Sequence, residues 1–294
     1  MKIDRRNLLK TAGIGIVSAG WLGRESAAET TAAPKSQMKL GTVTYNIAKD
    51  WDLETIIKNC EKTRFEGVEL RTTHAHKIEV DLSKALREEV KKRFENSSVK
   101  LVGLGSAFDY HTPDQQKLRR DIEATKEYMI LAKDVGAPGV KVRPNGFPKE
   151  VPKEKTLEQI GKSLRELGEY GQNIGIQIRL EVHGSETCLL PNIKTIMDVA
   201  DHPNVGVCWN SNGQDLEGAG FDANFDMVKN KIFLVHINDL SNDRYPYRKL
   251  FAKLNEMGYN GFCLAETSGM KDDGDTLRFM QYYRTLWLAY QDLM

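Results

Sequence analysis

The chain has 294 residues, 40% hydrophobic and 28% charged, with 4 cysteines and a formal net charge of +1. These values exclude a disordered chain, a collagen-like repeat and a disulfide scaffold, and the length allows one large α/β domain or two average ones. Residues 1–28 carry a net +3 and the rest −2, so the body lacks the basic face of a nucleic-acid binder and nucleic acid is not expected as a partner.

The first segment reads as an address. Asp4-Arg5-Arg6-Asn7-Leu8-Leu9-Lys10 precedes a modestly apolar run from Thr11 to Gly23 and then Ser26-Ala27-Ala28, the arrangement of a twin-arginine signal with a small-x-small cleavage site. That run is about half of the ~20 residues needed to span a bilayer. Cleavage of residues 1–28, a periplasmic or exported protein and no stable membrane insertion are therefore expected. Export of an already folded protein also favours a bound metal or cofactor. Residues 29–37, with Thr30, Thr31, Ala32, Ala33 and Pro34, read as a linker. Gly13-Ile14-Gly15 has no preceding strand and is not a dinucleotide fingerprint. Cys60, Cys188, Cys208 and Cys263 show no C-x-x-C spacing and read as free thiols.

From Met38 onward, short β-branched runs recur: Met38 to Val43, Gly67 to Arg71, Val99 to Leu104, Gly139 to Arg143, Ile176 to Glu181, Val205 to Asn210, Ile232 to Asn238 and Gly261 to Glu266. Helical patterns follow them, over Leu53 to Arg64, Ser83 to Glu95, Pro113 to Asp134, a segment from a capping box at Thr156 to Gly175, Pro191 to Ala200, Phe221 to Lys229, Pro246 to Met257 and Asp275 to Leu293. The strand starts lie 27 to 40 residues apart, the size of a βα unit. Eight such units over residues 38–294 predict a single (β/α)8 TIM barrel of ordinary size, with a doubly wound open sheet as the alternative.

Strands covered on both faces should be apolar throughout, so polar departures are informative. Here they are Glu69 and Arg71, Lys141 and Arg143, Arg179, Glu181 and His183, Asn210 and Asn212, His236 and Asn238, and Glu266. Within each strand they share parity, which sends them to one face, the lumen, while Val68, Val140, Leu180 and Val235 face outward. They lie toward the carboxyl ends of the strands, where barrel enzymes build their sites. Structural ion pairing is the plain alternative, but burying so many charges with no metal or ligand is costly. Glu181, His236 and Glu266, with Glu69 and His183 nearby, suit a divalent cation such as Mn²⁺, Mg²⁺, Co²⁺ or Zn²⁺.

Gly67-Val68-Glu69-Leu70, Leu180-Glu181-Val182-His183-Gly184, Val205-Gly206-Val207-Cys208-Trp209-Asn210, Val235-His236-Ile237-Asn238-Asp239 and Leu264-Ala265-Glu266 resemble, in order, the motifs of the xylose isomerase-like TIM barrels, the sugar phosphate isomerases and epimerases. The resemblance covers residues 38–294. It implies a metal, Mn²⁺ foremost, on Glu181, Asn210, His236 and Glu266, with Glu181 and Glu266 moving the proton. Asn210 stands where the family usually has Asp, which implies weaker metal binding and a more electropositive loaded site. Glu69, Lys141, Arg143, His183, Asn212 and Asp239 are assigned to substrate contact.

The resulting expectation is a metal-dependent isomerase or epimerase that abstracts a proton next to the carbonyl of a sugar or keto-sugar. A keto-glycoside lyase or keto-sugar dehydratase using the same metal and base is the alternative, and a non-catalytic sugar-binding barrel is the third reading. Lys141, Arg143 and Arg179 pair internally or meet an anionic substrate group. His74, His76 and His111 are read as rim residues, His202 as an exposed loop residue and Trp209 as core. Tyr282, Tyr283, Trp287 and Tyr290 form a stripe that serves the core or a contact in a homo-oligomer.

Overall fold

In this computed structural model, residues 36–294 are described. The expected signal over 1–28 and all but the end of the 29–37 linker lie outside them. Eight parallel strands, β1 (Lys39–Val43), β2 (Gly67–Arg71), β3 (Lys100–Asp109), β4 (Gly139–Arg143), β5 (Gln177–Glu181), β6 (Val205–Asn210), β7 (Ile232–Ile237) and β8 (Phe262–Ala265), pair in sequence order. The sheet closes where β1 pairs with β8, Leu40 opposite Cys263 and Thr42 opposite Ala265. Closure removes the sheet edges and selects the barrel over the open sheet.

One helix follows each strand: α1 (Leu53–Thr63), α2 (Lys84–Glu95), α3 (Gln115–Val135), α4 (Lys153–Ile174), α5 (Leu190–Ala200), α6 (Phe221–Val228), α7 (Tyr247–Glu256) and α8 (Asp273–Ala289). Local chemistry sets several starts. Asp52, Ser83, Asp114 and Asp272 each accept a hydrogen bond from a backbone N–H in the first turn of the next helix. The capping box expected at Thr156 is not used. Pro152 precedes the first residue of α4 with φ −54°, so Lys153, Glu154 and Lys155 enter the helix one turn early and Thr156 is buried inside it. Gln159, the acceptor expected in that box, instead donates to the Tyr110 and Thr112 carbonyls, 2.8 Å each, and ties α4 to the loop after β3.

β3 is longer than its apolar run. Pairing continues past Leu104 through Gly105, which lies opposite Lys141, and after a shift in register ends with Asp109 opposite Arg143. The Ser106 hydroxyl donates to the Lys141 carbonyl at 2.7 Å, so small and polar residues that read as loop extend the strand.

The apolar residues separate into two regions. The larger lies between strands and helices and includes Leu40, Val68, Val140, Ile160, Leu164, Leu180 and Trp209. The smaller fills the lumen with Val43, Val102, Cys208, Leu234 and Leu264. Among the described residues no helix is long and apolar enough to cross a membrane, and the four cysteines are free.

Ile160, on the inner face of α4, has no exposed surface. Ile160→Ala should lower unfolding free energy by about 2–5 kcal/mol in a denaturant titration. Leu86→Ala, at a position 47% exposed, should change it by less than about 0.5 kcal/mol.

Candidate active site

The parity of the strands gathers the polar residues as their sequence pattern requires. Lys141 from β4, Glu181 from β5, Asn210 from β6 and His236 from β7 are buried in the lumen, and Glu266 joins them directly after β8, with its backbone N–H donating to the Ile237 carbonyl at 2.9 Å. Ligand atoms of Glu181, His236 and Glu266 all lie within 4.8 Å of one another.

Asn210 bridges the two carboxylates. Its Nδ2 donates to Glu181 Oε1 at 3.1 Å and to Glu266 Oε2 at 3.3 Å. The same two oxygens lie 3.5 and 3.4 Å from His236 Nδ1. The other oxygen of Glu181 accepts from Lys141 Nζ at 2.7 Å. On the far edge of the imidazole, Nε2 lies 3.4 Å from Glu69 Oε1.

These contacts decide the ionisation of the group. Burial alone would raise the Glu181 carboxyl, but the Lys141 ammonium and His236 outweigh it and hold the acid well below its usual range. Glu69 is likewise lowered against its burial, by His236 and Lys141. Burial disfavours a charged His236, yet Cys208, Glu69 and Glu266 packed around the ring hold it well above its ordinary value. Lys141 is raised, its burial outweighed by Glu181, Glu69 and Glu266. The buried acids Glu69 and Glu181 are thus held in the charged form by the Lys141 ammonium and the His236 ring.

A divalent cation fits this donor set. His236 is fully buried and neither ring nitrogen has a hydrogen-bond partner of good geometry. Its Nδ1 shares a space with two carboxylate oxygens, the arrangement in which a cation would replace a proton. Asn210 fits less well, because its nitrogen faces the carboxylates while its oxygen lies 3.5 Å from Asn238 Nδ2. In this orientation three ligands converge, and the amide must turn over to supply a fourth.

Other expected site residues are placed differently. Glu69 has no exposed surface and stands behind His236, so it does not face a substrate. Asp239 is exposed and accepts from the backbone and hydroxyl of Ser241, at 2.8 and 2.7 Å; it closes its own turn and is not part of the cluster. Asn212 is held through its Oδ1 by Asn238 Nδ2 at 3.0 Å. Arg143 and His183 are partly buried at the ends of β4 and just beyond β5, and Arg143 donates to the Ala107 carbonyl at 3.2 Å. Burial, opposed by Glu181 and reinforced by Arg143, lowers His183 below its usual value.

Arg179 lies deeper. Its guanidinium donates to the Val102 carbonyl at 2.9 Å and to Gln177 Oε1 at 3.2 and 2.9 Å, which makes it a packing charge of the lumen. Among the rim histidines, His76 is tied to the Arg71 carbonyl at 2.8 Å. His74 lies 2.8 Å from Thr44 Oγ1 and is lowered to about 4 by burial, Arg71 and His76. His111 lies 2.9 Å from Asp109. His202 is half-buried and accepts the Asn204 N–H at Nδ1. In the aromatic stripe Tyr283 is buried and donates to the Ile237 and Asn238 carbonyls, whereas Tyr282 is 72% exposed.

Two features escaped the sequence reading. Tyr45, 40% exposed just after β1, stacks on His74 and carries the Arg71 guanidinium 5.1 Å from its ring centroid. An aromatic directly after the first strand was the available signal. Behind Asn210, Trp209 Nε1 donates to Tyr245 Oη at 3.1 Å, and Tyr245 donates to the buried Asp215 at 2.6 Å. Asp215 also accepts the Asn212 N–H at 3.1 Å, so it anchors the loop that follows the Asn210 strand. The available signal was the Asn212-x-x-Asp215 spacing of a capping box at a short 3-10 turn.

A profile of the family described as xylose isomerase-like TIM barrel matches residues 57–283. The chain is similar to the inosose isomerase of Bacillus velezensis, 22% identical over 191 residues that cover 64% of this chain and 68% of that one. Among solved structures it is similar to 3-keto-D-glucoside 4-epimerase (YcjR) from E. coli, with a TM-score of 0.70 and 16% identity over 84% of this chain and 99% of that one. It is also similar to the IOLI protein with a bound zinc atom, with a TM-score of 0.68 and 19% identity over 87% and 98% of the two chains. At these identities the structural likeness shows the fold.

Burial pushes the Asp215 carboxyl from 3.8 up to about 7. An acid raised in the folded state contributes stability that is full below its unfolded value and is lost as pH rises through the folded one. Relative to Asp215→Asn, the natural protein should lose about 1.4 kcal/mol of unfolding free energy per pH unit between about pH 5 and pH 7. Paired denaturant titrations across that range measure the difference, and parallel curves would contradict it.

Proposed function

The chain belongs to the xylose isomerase-like TIM barrel family, and from that premise we propose that it is an isomerase or epimerase of a sugar or keto-sugar, with Glu181 and Glu266 as its proton-moving pair. The observation that carries this reading is the convergence of the two carboxylates, Glu181 Oε1 and Glu266 Oε2, on one Asn210 amide at 3.1 and 3.3 Å, with the Lys141 ammonium 2.7 Å from the second oxygen of Glu181. The relatives named as an inosose isomerase and a keto-glucoside epimerase act on carbonyl-bearing rings. A substrate of that class fits a site built to move a proton adjacent to a carbonyl.

Glu181, His236 and Glu266 would hold a divalent cation, with Asn210 as a fourth and uncharged ligand. Such an ion supplies Lewis-acid polarisation of the substrate carbonyl and hydroxyl. Mn²⁺ suits the oxygen-rich set, and Mg²⁺, Co²⁺ and Zn²⁺ are compatible with it. The residues divide the remaining work. Glu266, 16% exposed against 2% for Glu181, reaches the open end of the barrel and is the carboxylate that first meets the substrate proton. Lys141 fixes Glu181 and balances its charge. The twin-arginine start supports an exported protein, for which a free or glycosidic keto-sugar suits better than a phosphorylated one.

One observation favours a second reading. Asn210 and His236 meet both acids, but Lys141 holds only Glu181 and Glu266 is the more exposed, an inequality that suits a single base driving elimination, as in a keto-glycoside lyase or keto-sugar dehydratase. Product mass separates the two readings, because isomerisation leaves it unchanged and elimination splits or dehydrates the substrate.

In deuterated water with Mn²⁺ and a panel of keto-sugars, the protein should exchange a substrate proton. Glu266→Gln should slow that exchange by about 10²–10⁴-fold, and undiminished exchange would remove Glu266 from the mechanism. Asn210→Asp should tighten Mn²⁺ binding by about tenfold or more, since one added charge at ligand distance is worth more than ~1.4 kcal/mol at an effective dielectric near 20. Calorimetric titration of the two proteins checks this.

A further inference from the structure

Glu69 occupies the middle of β2 with no exposed surface, and neither of its carboxylate oxygens has a hydrogen-bond partner of good geometry. An ionised carboxylate in such a place is costly unless an opposite charge or donor meets it. The imidazole edge of His236 does so, with Nε2 3.4 Å from Glu69 Oε1. The opposite edge of the same ring turns Nδ1 toward Glu181 and Glu266, at 3.5 and 3.4 Å. His236 thus stands between one carboxylate behind it and two in front.

The neighbouring strand is shaped around Glu69. A Cβ on Gly105 would stand 2.8 Å from Glu69 Oε1, and one on Gly103 would stand 3.4 Å from Oε2 and 3.1 Å from the Arg179 guanidinium. A side chain at Gly105 would crowd the carboxylate away from the imidazole, and one at Gly103 would press first on the Arg179 guanidinium. A glycine in a strand has a stability cost, and the space given up at Gly105 admits the buried acid.

The geometry points to Glu69 as a positioning residue: it accepts the Nε2 proton of His236 and so makes Nδ1 the ring nitrogen presented to a cation between Glu181 and Glu266. A metal-ligating histidine whose second N–H meets a carboxylate has its ring orientation and ligating nitrogen fixed, and loss of that partner costs about 10–100-fold in metal affinity. Glu69 touches no substrate, because His236 separates it from the open end. The assignment rests on the metal reading given above.

The experiment compares the natural protein, Glu69→Gln and Gly105→Ala, each tested for retained fold by circular dichroism. Zn²⁺ affinity is measured by chelator competition, and the His236 ring is observed by ¹⁵N–¹H spectroscopy of the metal-free protein. Both variants should bind Zn²⁺ about 10–100-fold more weakly and lose or shift the His236 Nε2 proton signal. Gly105→Ala keeps the acid in the chain but displaces it from the imidazole, and it carries the test if the Gln variant does not fold. Zn²⁺ affinity of a folded variant within about twofold of the natural protein, with the Nε2 signal unmoved, overturns the role. If the natural protein binds no Zn²⁺, the metal reading fails, and the imidazole signal alone decides: lost in Glu69→Gln, it sustains the positioning of His236, and unchanged, it refutes it.

Discussion

Burying charge inside a closed barrel constrains everything else in this molecule. The lumen holds Arg179, Glu69, His236, Glu181 and Lys141 with little or no access to water, where an isolated charge would be untenable. They are tolerated because neighbours oppose one another in sign. Glu69 meets His236 on one edge, Glu181 and Glu266 meet it on the other, and Lys141 closes on Glu181. Arg179 at the base is held by neutral acceptors, the Val102 carbonyl and Gln177. Removing one member leaves its partner buried and unpaired, so this set behaves as a unit.

The strands accommodate these side chains through what they omit. Gly139 lies beneath the Arg179 guanidinium, where a Cβ would stand 2.8 Å from Nε, and Gly105 does the same for Glu69. Stability must then come from the outer layer, where Leu40, Val68, Val140 and Leu180 pack against the helices. Trp209 joins the two regions. Its neighbour Asn210 faces the lumen, while its own ring packs outward on Phe225, with centroids 5.5 Å apart, and its Nε1 reaches the Tyr245 and Asp215 pair. The position of the Asn210 amide is thereby tied to a buried hydrogen-bond chain on the opposite face of the strand.

Period-two alternation made most of this readable. Once Val68 and Leu70 are assigned outward, Glu69 must point inward, and the same logic places Lys141, Glu181, Asn210 and His236 in one lumen without any knowledge of their partners. Depth along the barrel axis was not readable, because parity gives a face and not a level. Glu69, Arg179 and Asp239 share inward parity or motif membership with the true cluster, yet one lies behind it, one below it and one on the exposed turn beyond it. The extension of β3 through Gly105 and Ser106 was hidden by composition, since Gly105 pairs between Arg71 and Lys141 and the Ser106 hydroxyl bonds to the Lys141 carbonyl. The start of α4 was hidden by two competing signals, and the proline at 152 prevailed over the Thr156 box.

The inequality of the two site carboxylates bears most directly on the chemistry. A two-base epimerisation needs each acid to take up and return a proton in turn, so that each must be free to lose its hydrogen bonds at the right moment. Glu266 meets that requirement, with long contacts from Asn210 and His236, no ammonium partner and an opening to solvent. Glu181 meets it only if Lys141 follows the charge, withdrawing from Oε2 or sharing its proton as the carboxylate is neutralised, because a protonated Glu181 beside a fixed ammonium would forfeit the contact that offsets burial of both. On the proposed epimerase reading, an ammonium in contact with Glu181 biases the site toward Glu266 as the carboxylate that acts first. Asn210 does not discriminate between the two: an aspartate there would repel both carboxylates in the absence of a cation, whereas the amide donates to both and keeps them together. The amide that lowers the negative charge available to a metal also holds the two carboxylates together without one.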